Sequence, residues 1–77
     1  MKSSIKTVRL TDAEWKQIRQ QIASLLQTRT SAVWLDRAEL TGNADEKEVY
    51  ATAKGFSYGA LVQKGKVVYM WREFANE

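Results

Sequence analysis

The chain has no histidine, no cysteine and no proline in 77 residues. Without histidine it lacks the one side chain that changes charge near neutrality at its unperturbed pKa, and the commonest metal ligand. Without cysteine it has neither a thiolate nucleophile nor a disulfide to staple a small core, which fits a reducing, cytoplasmic compartment. The four glycines, at 42, 55, 59 and 65, lie too far apart to form a phosphate-cradling loop. Asp45, Glu46 and Glu48 lack the glycine and the distal bidentate acid of a calcium loop. No apolar run approaches the ~20 residues of a membrane span, and no apolar signal core follows the start of the chain. Together these absences predict a single small cytoplasmic domain that is not an enzyme and carries no metal or cofactor.

What the chain does have is charge and aromatic rings. Twelve Lys and Arg stand against nine Asp and Glu, a net charge of +3, with three Trp, three Tyr and two Phe. The charge is uneven along the sequence. Residues 1–30 and 51–77 are basic, whereas residues 31–50 carry Asp36, Glu39, Asp45, Glu46 and Glu48 against Arg37 and Lys47. A chain this short buries a small share of its surface, so the size argument leaves a monomer and a homodimer level.

Residues 4–10, SIKTVRL, alternate apolar and polar as a short strand does. Thr11-Asp-Ala-Glu14 then reads as a capping box, with Leu10 and Trp15 at the two positions of a hydrophobic staple. A helix is predicted from residue 12 to about 27. Trp15, Ile18, Ile22, Leu25 and Leu26 form its apolar stripe, and Lys16, Gln17, Arg19, Gln20, Gln21 and Gln27 cover the other side. Residues 31–41 read as a strand or as a second helix ending at Gly42, with the balance toward strand. From residue 47 the pattern is β. If Lys64-Gly65 forms a two-residue hairpin turn, Val62 faces Val67, Ala60 faces Tyr69 and Tyr58 faces Trp71. On this register Tyr58, Tyr69 and Trp71 share one face, and Leu61, Val68, Gly59 and Met70 share the other.

The fold class predicted is α+β in two layers: a strand, one long amphipathic helix, and a three- or four-stranded antiparallel meander on which the helix packs. The alternative is a ribbon-helix-helix-like N-terminal half with a C-terminal β-hairpin. Residues 5–26, a basic strand running into a capped helix, resemble ribbon-helix-helix repressors. That resemblance implies strands paired between two copies in a DNA groove, with Ile5, Thr7 and Arg9 or Lys6 and Val8 facing bases. Residues 54–61, Lys-Gly-Phe-Ser-Tyr-Gly-Ala-Leu, resemble the longer signature of RNA-recognition-motif proteins, although Gly59 stands where an aliphatic residue is usual. That resemblance gives Lys54 a phosphate contact and Phe56 and Tyr58 stacking roles.

The function expected is an inhibitor or adaptor of a protein or nucleoprotein partner. In size and style the chain looks like the accessory proteins of phages and mobile elements, including inhibitors of host defence complexes. Partner contacts are expected from Tyr58, Tyr69 and Trp71, since aromatic rings dominate interface energetics, with Arg72 and Lys54 setting orientation. The other function class is a nucleic-acid-binding regulator using Lys6 and Arg9 of the first strand, or Lys64 and Lys66 of the hairpin.

Overall fold

The computed structural model describes residues 7–73. The expected Lys6 contact, and Ile5 with it, lie outside that range. The helix α1, Asp12–Leu25, begins where its capping box places it. The Thr11 amide donates to Glu14 Oε1 at 2.8 Å, and the Glu14 amide donates to Thr11 Oγ1 at 3.1 Å. Hydrogen bonding from Thr11, its backbone amide foremost, holds the Glu14 carboxyl below its ordinary pKa. The helix ends earlier than the sequence predicts. Leu26 caps it, and Gln27 takes a left-handed conformation at φ 56°. The Thr28 amide then donates to the Ala23 carbonyl and the Gln27 amide to the Ser24 carbonyl, a Schellman closure made without glycine. No basic residue occupies the last turn, but Lys54 reaches across from the sheet, and its Nζ donates to the Leu26 carbonyl at 3.3 Å.

The rest is a meander. After a single 3-10 turn at Thr30–Ala32 come β2 (Val33–Leu40), β3 (Glu46–Ala53), β4 (Phe56–Gln63) and β5 (Lys66–Glu73), each antiparallel to the next. The two-residue strand β1, Thr7–Val8, pairs with Glu39 and Ala38 at the outer edge of β2. The sheet therefore has five strands, where the sequence predicts three or four for the meander. Residues 33–40 are strand, so the second helix required by the ribbon-helix-helix alternative does not form, and β1 pairs within its own chain. The hairpins β3–β4 and β4–β5 turn on the same dipeptide. Lys54-Gly55 has φ values of 55° and 81°, and Lys64-Gly65 has 51° and 83°. Positive φ at both central residues is the turn whose twist matches that of paired strands.

One face of the sheet is covered by α1. Ile18, Ile22 and Ala23 of the helix meet Val33, Ala38, Val49, Ala51, Ala53, Ala60 and Val62 of the strands. Four alanines on the sheet side let the helix backbone come close, and the isoleucine and valine side chains fill the space between. Fully burying each of those larger side chains contributes about 1.5–3 kcal/mol. Two polar helix residues assigned to the solvent side by the sequence pattern are docking groups instead. Arg19 Nε donates to the Val33 carbonyl at 2.9 Å. Gln21 clamps the β5 end, its Nε2 donating to the Gly65 carbonyl and its Oε1 accepting from the Val67 amide, both at 2.8 Å.

The hairpin register holds at its turn and fails beyond it. Gln63 faces Lys66 and Val62 faces Val67, as predicted, but Leu61 then faces Tyr69. Val68 is an unpaired extra residue, a β-bulge. Past it every partner moves by one: Ala60 faces Met70, Gly59 faces Trp71 and Tyr58 faces Arg72. Because side chains alternate with period two, that single residue changes which face β5 presents. Tyr58 and Met70 turn toward the helix and pack against the core, while Tyr69 and Trp71 turn away from it.

Candidate functional site: the open face of the sheet

The second sheet face carries no helix, and its centre is built around Gly59. The Trp71 indole lies flat across the backbone of that residue. A Cβ at Gly59 would sit 2.3 Å from Trp71 Cε2 and Cζ2, so no other amino acid fits beneath the ring. Gly59 is not at a positive φ; its role is room. Tyr50 on β3 meets Trp71 edge-on, with centroids 6.3 Å apart and planes at 86°. Tyr69 stacks on the same indole at 5.9 Å and 28°. On the far side the Arg37 guanidinium lies 4.1 Å from the Tyr50 ring centroid. A row Arg37–Tyr50–Trp71–Tyr69 thus crosses the sheet from β2 to β5. Tyr69 is 62% exposed, and Trp34, at the start of β2, is 69% exposed.

Carboxylates hem the row. Arg37 Nε donates to Glu39 Oε2 at 2.6 Å, and the Tyr50 hydroxyl donates to Glu48 Oε1 at 2.7 Å. The Trp71 indole N–H donates to Glu73, and Thr52 Oγ1 donates to Asp36 Oδ2 at 2.9 Å. Glu46 lies at the end of the face, accepting from Thr41 Oγ1 and Asn43 Nδ2 on one oxygen and from Gln63 Nε2 on the other. Those three donors hold the Glu46 carboxyl below its ordinary pKa. Burial pushes the Tyr50 hydroxyl up to about 12, helped by the bond to Glu48 and the charges of Glu39 and Glu73. The face as a whole carries Asp36, Glu39, Glu46, Glu48 and Glu73 against Arg37 and Lys66. The other described charges lie at the helix side and the rims. There Arg9, Lys16, Arg19, Arg29, Lys47, Lys54, Lys64 and Arg72 outnumber Asp12, Glu14 and Asp45. A chain with a positive net charge thus presents its aromatic row in an acidic setting.

The residues singled out from the sequence do not form one patch. Tyr69 and Trp71 belong to the open face, whereas Tyr58 points to the core side. Arg72 shares that side with Tyr58, and its guanidinium lies 4.1 Å from the Phe56 ring centroid. Phe56 and Tyr58 pair with the buried Ala53 and Ala51, and Lys54 is a turn residue bound to the helix end. The three residues of the RNA-recognition-like signature therefore do not meet on an exposed sheet surface. Among the basic residues, Arg9 is exposed between β1 and α1, Lys64 borders a hollow with Glu14 and Lys47, and Lys66 lies beside Asp45 and Glu46. Arg37, Tyr50, Gly59 and Trp34 are the residues that sequence reasoning missed. The alternation of KEVYATAK sets Tyr50 on the opposite side from Val49, which was the available signal for one of them.

Among the described residues no helix is long and apolar enough to cross a membrane, and no three acidic side chains group to hold a metal ion. No family model matches the chain, and neither a curated protein nor a solved structure matches it.

Proposed function

We propose that the chain is a small non-enzymatic binding protein of the cytoplasm, an inhibitor or adaptor that covers a macromolecular partner with the open face of its sheet. The observation that carries this reading is the row of rings left facing solvent on a rigid sheet and rimmed by five carboxylates. Rings held by strand pairing contribute contact area with little conformational entropy to lose, which is what interface anchors need. The acidic rim selects for a partner with a basic surface and repels phosphate, so a protein fits this face better than a nucleic acid does. Two copies meeting through the same face would set carboxylates against carboxylates, which disfavours a homodimer built that way. A partner-occluding protein of the kind carried by phages and mobile elements is the biological setting that fits such a surface.

The test compares the intact chain with Tyr69→Ala and Glu48→Lys as immobilised baits in cell extract, after thermal melts confirm that both variants fold. The expected result is a discrete partner of basic surface, held by the intact chain and released by both variants. Partners retained equally by all three baits, or partners that are acidic, would overturn the reading.

A further inference from the structure

We propose that a hollow on the open face is the anchor pocket for a lysine side chain of the protein partner. The inference rests on the reading of that face as a docking surface and specifies the chemistry it takes. The hollow has a volume of about 260 Å³ and is lined in part by Asp36, Arg37, Tyr50, Ser57 and Glu73. Small-molecule sites usually fill ~300–1,000 Å³, so this space suits one side chain rather than a whole cofactor. The strand register explains why it is there. Thr52 faces Ser57, and Ser57 faces Glu73. Two small hydroxyl residues thus occupy the middle strands, where the next row on the same face holds Tyr50 and Trp71. Asp36 is the extra residue of a bulge in β2, lying between Leu35, which faces Ala51, and Arg37, which faces Tyr50. That bulge brings the Asp36 carboxylate to Thr52, whose Oγ1 donates to Oδ2 at 2.9 Å. A low floor of hydroxyls therefore has a carboxylate at each end and the ring row along one side.

Both carboxylates are held in place before any partner arrives. Asp36 accepts from Thr52 on one oxygen, and Glu73 accepts from the Trp71 indole N–H on one oxygen. Among the described residues the second oxygen of each takes no hydrogen bond. The one cation lining the hollow, Arg37, is already matched: its Nε donates to Glu39 at 2.6 Å, and its guanidinium lies over the Tyr50 ring. Two negative charges are thus left for a cation brought by the partner, and a carboxylate or phosphate would be repelled. The geometry selects between the two basic side chains. A guanidinium is held best by both oxygens of one carboxylate, and here each carboxylate has only one oxygen unused. An ammonium is a compact charge with three donors, which single oxygens and the Ser57 hydroxyl can accept, while its alkyl stem lies against the Tyr50 ring.

The experiment titrates hexalysine into the isotope-labelled full chain, with hexaarginine and fully acetylated hexalysine as the comparison probes, and follows amide and indole N–H resonances. Hexalysine should shift Thr52, Ser57, Glu73 and the Trp71 indole N–H, bind more tightly than hexaarginine, and lose its effect on acetylation. Asp36→Asn and Glu73→Gln should each weaken binding by about two- to fivefold, the share of one partly exposed charge pair. Ser57→Leu fills the hollow without changing any charge; at this exposed strand position it should keep the thermal melt and weaken hexalysine binding about tenfold or more. Asp12→Asn removes the same charge from the helix side and should leave the affinity unchanged. Absence of shifts at Thr52 and Ser57, equal affinity for hexaarginine, full binding by Ser57→Leu, or an equal loss in Asp12→Asn would each overturn the pocket. A cellular partner released by Tyr69→Ala and Glu48→Lys but kept by Ser57→Leu would overturn the pocket alone and leave the docking face standing.

Discussion

Replacing Gly59 by alanine adds one methyl group to a strand, a change that ordinarily favours strand formation by about 0.5–1 kcal/mol. Here the added carbon would meet Trp71 Cε2 and Cζ2 at 2.3 Å, where unstrained carbon contacts lie near ~3.5–4.0 Å. The indole must move by more than an ångström, and Tyr50 on one side and Tyr69 on the other limit where it can go. Each of those ring pairs contributes about 0.5–1.5 kcal/mol, so breaking both costs about 1–3 kcal/mol. After subtracting the intrinsic gain, Gly59→Ala should destabilise by about 0.5–2 kcal/mol, a fall of several degrees in Tm for a domain this size. The decisive comparison is a double-mutant cycle. In a Trp71→Ala background the methyl has room, so Gly59→Ala should stabilise, and the sign of its effect should reverse. Urea unfolding of the four proteins measures this. An effect of the same sign and size in both backgrounds would refute the claim that Gly59 exists to seat Trp71.

Tyr50 should ionise near 12, so the unfolded chain releases this proton first as pH rises past the ordinary tyrosine value of 10. Stability should therefore fall between about pH 10 and 12, and the part of that fall due to Tyr50 should vanish in Tyr50→Phe; an identical pH profile for the two proteins would contradict the assignment. Gln27 closes the helix at φ 56°, a conformation that glycine adopts without steric cost, so Gln27→Gly should stabilise by up to ~1 kcal/mol in urea unfolding. A loss of stability there would mean that the Gln27 side chain holds an interaction of its own.

The parts of the fold encoded in local chemistry could be read from the sequence. The capping box fixes the start of α1, the apolar stripe brings Ile18 and Ile22 to the core, and Lys64-Gly65 sets the last turn. The end of the helix was less legible, because its closure uses a glutamine in a conformation usually reserved for glycine. The candidate site was half legible. Tyr69 and Trp71 share a face by simple alternation, but the identity of their companions depends on Val68, an extra residue with no compositional mark. No local rule signals that β5 gains a residue there; the shifted register is what sets Trp71 over Gly59, a contact between strands. For the same reason Tyr50 and Arg37, which join the row from β3 and β2, could not be placed before the pairing was known.

The bulge at Val68 also affects how the molecule behaves in a crowd. β5 is the last strand of the sheet, and a long flat last strand is a template on which other chains can polymerise. Val68 interrupts the pairing two residues after the strand begins, twists the remainder of the strand, and leaves its own side chain projecting, 52% exposed. Gln21 already occupies the Val67 amide from the helix. Regular strand-on-strand growth from this side is thus blocked near the start of the strand, so this edge is a poor template for in-register addition of further chains.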